Sequence, residues 1–134
     1  MKVFDDEWAK AFCAAVNSNK DYAEAGATWE GDFIFVVKPS GGLDAEKKLF
    51  VGLLHGKCTG ARALDPGDDQ KAEFIVSGIY DNWVKVLKKE LDPIQGMMAG
   101  KLKLTGNMAK VMRAVKAAQE LVNSTAMVEG VEFY

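Results

Sequence analysis

The chain has 134 residues, 49% of them hydrophobic and 27% charged, with a formal net charge of -2. That size and balance describe one globular domain, residues 1–134, built on a single core. They exclude a disordered chain and leave no basic excess for nucleic acid.

Phe4, Trp8, Phe12 and Val16 recur every four residues, which predicts a helix with one aromatic face, capped by Asp5 or Asp6. A short helical turn over Asp21–Ala25 ends at Gly26. The period then changes to two: Trp29, Phe33, Phe35 and Val37 alternate with Glu30, Asp32 and Lys38, as on a half-buried strand. After a turn at Pro39–Gly42, the nearly continuous apolar run Leu49–Leu54 predicts a strand covered on both faces. Gly56 and Gly60 bracket a turn or bulge before a strand around Thr59–Leu64, and Ala72–Ser77 is a fourth strand after the turn Asp65–Asp68. Short loops between these four imply a largely antiparallel meander.

A helix opens at Tyr80 with Asp81 as its cap and Ile79, Trp83, Val86 and Leu87 as its apolar face. Asp92-Pro93 starts another helix, carrying Ile94, Met97 and Met98 and ending at Gly100. Lys101–Thr105 alternates strictly and predicts a fifth strand. Asn107 caps one last long helix with the apolar stripe Met108, Val111, Met112, Val115 and Val122.

The segment Asp92-Pro93-Ile94-Gln95-Gly96-Met97-Met98-Ala99-Gly100-Lys101-Leu102-Lys103-Leu104-Thr105-Gly106-Asn107-Met108 resembles the signature of the sterol carrier protein type two family. The upstream strand followed by Asp81 and an aromatic residue at the head of a helix is also similar, so the resemblance covers about Trp29 to Val122. It implies an α+β domain whose five-stranded, mostly antiparallel mixed sheet is covered by helices on one side and encloses an apolar tunnel. It further implies binding of fatty acids, acyl thioesters or sterols, without catalysis.

Four methionines, Met97, Met98, Met108 and Met112, fall close together, and their unbranched thioether chains suit a surface that accepts varied apolar ligands. The expected cavity takes Phe33, Phe35, Val51 and Leu53 from the sheet. From the helices it takes Trp83, Leu87, Ile94, Met97, Met98, Met108, Met112 and Val115. The partner expected is thus an apolar small molecule. Lys110, Arg113 and Lys116 step by three along the last helix in a stretch without acids, and could meet an anionic head group or an anionic membrane surface.

Rival chemistry is thin. His55 could activate Cys58 as a nucleophile, which would make the chain an enzyme, but positions three apart on a regular strand face opposite ways. Glu30 and Asp32 share a strand face without any cleft signature, and Gly100-Lys101 lacks the spacing of a phosphate-binding loop. One histidine and the two distant thiols, Cys13 and Cys58, form neither a disulfide framework nor a zinc spacing, so no metal or cofactor is expected. Without an apolar leader or a run of about 18 apolar residues, the expected location is the cytoplasm. A protein-interaction module with an apolar groove is the remaining alternative.

Overall fold

Alternation dominates the middle of the chain and builds a sheet. The computed structural model, which describes Met1–Tyr134, places strands β1 at Phe33–Lys38, β2 at Lys47–Leu54, β3 at Lys57–Leu64, β4 at Phe74–Ile79 and β5 at Lys103–Thr105. Their order is β3-β2-β1-β4-β5. Helices α1 (Asp6–Ser18) and α2 (Lys20–Ala25) precede the sheet, and α3 (Tyr80–Leu87) and α4 (Pro93–Met98) lie between β4 and β5. Helices α5 (Met108–Met112) and α6 (Val115–Thr125) close the chain.

The meander stops at three strands. β1, β2 and β3 are antiparallel neighbours, but β4 pairs parallel with β1, Phe33 opposite Phe74 and Phe35 opposite Val76. β5 then adds antiparallel to β4, so the sheet is mixed. The chain from Asp65 to Glu73 must therefore cross two strands and return to the other end of the sheet. Nine extended residues reach about 30 Å, which is enough without a helix. Arg62 anchors this crossover from the outward side of β3, donating to Asp68 at 2.8 Å and to Gln70 at 3.1 Å. Local propensity carries no record of such a long-range pairing, so the parallel step was not legible in the turn residues.

One face of the sheet carries Phe33, Phe35 and Val37, Leu49, Val51 and Leu53, and Phe74 and Val76 in register. These residues belong to, or pack against, a buried cluster that also holds Phe4, Trp8, Phe12 and Val16 of the α1 segment. The other face is thinner. β2 is covered on its inner side only, since Leu54 is 44% exposed and Phe50 half-buried, which corrects the expectation of a strand enclosed on both faces.

Helix ends follow side-chain chemistry with two corrections. Asp92 accepts from the backbone N–H groups of Ile94 and Gln95, with Pro93 in the first turn of α4, and Asn107 accepts from Lys110 N–H to start α5. Asp81, by contrast, lies inside the first turn of α3, and its own N–H donates to Ser40 Oγ at 2.8 Å. Asp5 flanks α1 without capping it, because its carboxylate is held by Lys47 and by Tyr134 Oη. Burial alone would raise that carboxyl, but those two hydrogen bonds keep it below the usual aspartate range.

The segment that carried the resemblance is a compact cassette. Gly100, at φ +76°, ends α4 in a left-handed turn. Its N–H bonds Met97 O and the next N–H, of Lys101, bonds Gly96 O, the two reciprocal bonds of a Schellman stop. Gly96 packs directly beneath Leu102, where a Cβ would meet the leucine at 3.2 Å. Leu102 is thereby buried under the helix that precedes it, and β5 and α5 follow at once.

Candidate apolar ligand site

Between the inner face of the sheet and the helices lies a cavity in which the centre of a water-sized sphere has about 110 Å³ to move. Of its 19 lining residues, 17 are hydrophobic, so it offers dispersion contacts and almost nothing to hydrogen-bond water. The sheet contributes Phe33, Phe35, Leu49, Val51 and Val76. α3 contributes Trp83, Val86 and Leu87; α4 contributes Pro93 and Met97, with Leu102 just beyond it. Ala118, Leu121, Val122 and Thr125 of α6 close the space, with Val111 of α5.

Sequence reasoning missed two walls of the cavity: the α6 residues Ala118, Leu121, Val122 and Thr125, and the start of the chain through α1. Phe4, Trp8 and Phe12 line the cavity, Trp8 stacked on Phe12 with ring centroids 5.4 Å apart. Their four-residue spacing was visible, but periodicity says only that a face is buried, not that it borders a void. Phe4 adopts φ +68°, a conformation costly for a bulky residue, and is held there by edge contacts to Trp8 at 5.2 Å and Tyr80 at 6.2 Å.

Of the twelve apolar positions expected, Phe33, Phe35, Val51, Trp83, Leu87 and Met97 line this cavity. Leu53 lines a second, smaller one of about 30 Å³, bounded by Tyr22, Trp29, Phe33, Val111, Ala114, Ala117, Ala118 and Leu121. Ile94 is buried in the core outside both. Met98, Met108 and Val115 are exposed by 63%, 38% and 38%, and Met112 is half-buried against the core. Helix geometry explains the split: adjacent positions differ by about 100° in direction, so Met97 faces inward and Met98 outward.

The last helix is broken rather than continuous. Arg113 and Ala114 separate α5 from α6, so Lys110, Arg113 and Lys116 do not form a stripe on one helix. Lys110 reaches back to the sheet, donating to Glu30 O at 2.5 Å and pairing with Glu73 at 2.9 Å, with its ammonium 5.0 Å over the Trp29 ring. Lys116 pairs with Glu120 at 3.3 Å, while Arg113 is exposed and makes no ion pair. None of the three lines the cavity.

His55 and Cys58 are kept apart. His55 occupies a tight turn at φ +49° and meets Glu30 at 3.1 Å, on the surface. Cys58 is buried, beside Cys13 of α1, and burial followed by that neighbour pushes its thiol up to about 12. A thiol held so high is a poor nucleophile near neutral pH. The register shift in this hairpin falls at Gly52/Leu53, not at Gly56. Asp32 is committed to structure, its carboxylate accepting from Leu53 N–H at 3.2 Å. No group of three His, Cys, Asp or Glu residues is placed to hold a metal ion, and no helix is long and apolar enough to cross a membrane.

Residues 9–119 match the SCP-2 sterol transfer family. The chain belongs to that family. A crystal structure of sterol carrier protein 2 is 31% identical, with a TM-score of 0.83, over 94% of this chain and 98% of its own. The solution structure of a conserved protein of Thermus thermophilus, described as possibly a sterol carrier protein, is 32% identical, with a TM-score of 0.86, over 96% of this chain and 90% of its own. Sterol carrier protein 2 of Aedes aegypti, solved in complex with palmitate, shares the fold at 15% identity and a TM-score of 0.52, over 85% of this chain and 93% of its own. No curated protein matches the chain in sequence.

An alkaline titration checks the packing around the smaller cavity of this SCP-2 domain. Tyr22 is 1% exposed, and burial, with Cys58 nearby, pushes its hydroxyl from 10.0 up to about 12. The unfolded chain therefore ionises first, so this contribution is complete below pH 10 and is lost as pH rises toward 12, on the order of 2–3 kcal/mol. Tyr22→Phe removes that part of the loss in urea midpoints measured across this window. Cys58, Lys47 and Tyr134, all raised as well, leave a residual slope.

Proposed function

We propose that this protein is a non-catalytic carrier that binds an acyl chain, acyl thioester or sterol-like lipid in the larger cavity and transfers it. The observation that carries this reading is the apolar cavity itself, 17 of whose 19 lining residues are hydrophobic, in a chain of a sterol-transfer family. An empty apolar void forfeits contacts on every wall, and an apolar ligand restores them. Burial drives binding at about 25 cal/mol per Å² before ordering costs. The palmitate held by the Aedes aegypti relative supports a fatty acid as a suitable occupant. The high thiol of Cys58 and its separation from His55 speak against the enzyme reading. Two unpaired cysteines suit a reducing compartment such as the cytoplasm, and finding the protein outside the cell on fractionation would overturn that assignment.

The ligand's polar head has no charged partner in the lining and stays at the mouth. Arg113, unpaired and exposed, is the one of the three basic residues left free to meet an anionic head group or bilayer, since Lys110 and Lys116 are paired with Glu73 and Glu120. The test is binding and vesicle transfer of a fluorescent long-chain fatty acid by delipidated protein. Saturable binding at micromolar Kd or tighter is expected, about -8 kcal/mol; no saturation with acids, thioesters or sterols defeats the carrier reading. In the same assay, replacing Lys110, Arg113 and Lys116 by Ala slows transfer from anionic vesicles at low salt but not from neutral ones. An unchanged rate and salt slope would make these residues ordinary surface.

A further inference from the structure

Four side chains stand in the linings of both cavities: Phe33, Val111, Ala118 and Leu121. Three of them are fixed. Phe33 stacks on Trp29, Phe35 and Phe74, with ring centroids 5.8, 5.5 and 5.1 Å away. Val111 is buried and β-branched on a helix, which leaves it essentially one rotamer. Ala118 has no side-chain rotation. Leu121 differs: it is half-buried on α6, unbranched at Cβ, and has other staggered positions open to it.

We propose that Leu121 is a movable partition between the two cavities, and that the smaller one takes the far end of a long alkyl chain whose body fills the larger. The proposal rests on the carrier reading above and adds what sets the chain length. The smaller cavity suits an alkyl end, since all nine of its lining residues are hydrophobic. Its outer wall is firm. The Trp29 indole donates to Gly31 O at 2.9 Å, and the Lys110 ammonium lies over the ring. With Leu121 in place the chain stops at the partition; with Leu121 rotated, each further methylene that enters adds up to about fourfold in affinity.

Two variants push the outcome in opposite directions. Ala117 lines the smaller cavity alone, so Ala117→Val fills it without touching the larger. Leu121→Ala removes the partition. Affinities are measured for saturated fatty acids from octanoate to stearate by calorimetry on delipidated protein, with circular dichroism to check folding. Ala117→Val is expected to bind octanoate as the wild type does but to stop gaining affinity at a shorter acid. Leu121→Ala is expected to raise the stearate-to-octanoate affinity ratio about fourfold or more, the effect of at least one further methylene entering the smaller cavity. If Ala117→Val does not fold, Leu121→Ala decides alone. Wild-type length profiles in the folded variants overturn the partition and leave the smaller cavity a packing void. If the wild type itself binds none of these acids, the partition and the fatty-acid form of the carrier reading are overturned together, and that outcome is recognised by the missing wild-type binding.

Discussion

Replacing Trp83 by Ala lowers stability by about 3–5 kcal/mol, the usual cost of removing a large buried side chain beside space that cannot collapse. Trp83 is 8% exposed, packs edge-on against Phe35 with centroids 5.4 Å apart, and lines the cavity. Its indole Nε1 donates to Val36 O at 3.0 Å, so the same side chain ties α3 to the central strand. Trp83→Phe keeps most of the packing and loses that bond, and is expected to cost about 1–3 kcal/mol. Urea unfolding of the two variants separates the contributions, and equal losses would mean that the hydrogen bond rather than the bulk matters. All three tryptophans border one of the two cavities: Trp8 and Trp83 the larger, Trp29 the smaller. A protein retaining only Trp83, with Trp8 and Trp29 changed to Phe, should therefore shift its emission on saturation with ligand. An unmoved spectrum would place the ligand away from α3.

Val122→Trp abolishes most fatty-acid binding while the fold survives. Val122 is half-buried on α6 and lines the larger cavity alone, so an indole there occupies the void. Overfilling a packed core costs about 1–3 kcal/mol, and an existing void lessens that strain. Displacing a few methylenes of ligand at about 0.8 kcal/mol each lowers affinity on the order of a hundredfold. Met98→Trp is the matched control, because Met98 is 63% exposed and outside both cavities. If Met98→Trp weakens binding as much as Val122→Trp, the ligand lies on the surface and not in the cavity.

Part of this protein could be read from its residues because the information is local. Asp92-Pro93 and Asn107 announce helix starts through groups that satisfy the first backbone N–H donors within three residues. Gly100 announces a stop because a left-handed turn favours a residue without a Cβ. Phe33, Phe35 and Val37 mark a strand, although Ile34 and Val36 between them are buried as well, which corrects the expectation of a half-buried strand for β1. The four-residue spacing from Phe4 to Val16 marks a helix with one buried face. The segment Asp92–Met108 pointed to the family because its stops, strand and start form one local cassette.

The remainder depends on contacts between distant parts of the chain. The pairing of β1 with β4 joins residues about forty positions apart, and nothing near Phe74 states which strand it will meet. The break at Arg113–Ala114 turns one expected stripe into two short helices and sends Lys110 to Glu73 on the sheet. Met97 faces the cavity, Met98 faces water and Met112 packs on the core, although all three look alike in the sequence. Sequence by itself determined most of the elements, the starts of α4 and α5, and that an apolar interior results. Only the tertiary structure decided where that interior is left unfilled, because a void is a mismatch of volumes among side chains from five helices and three strands, and no local pattern carries that sum.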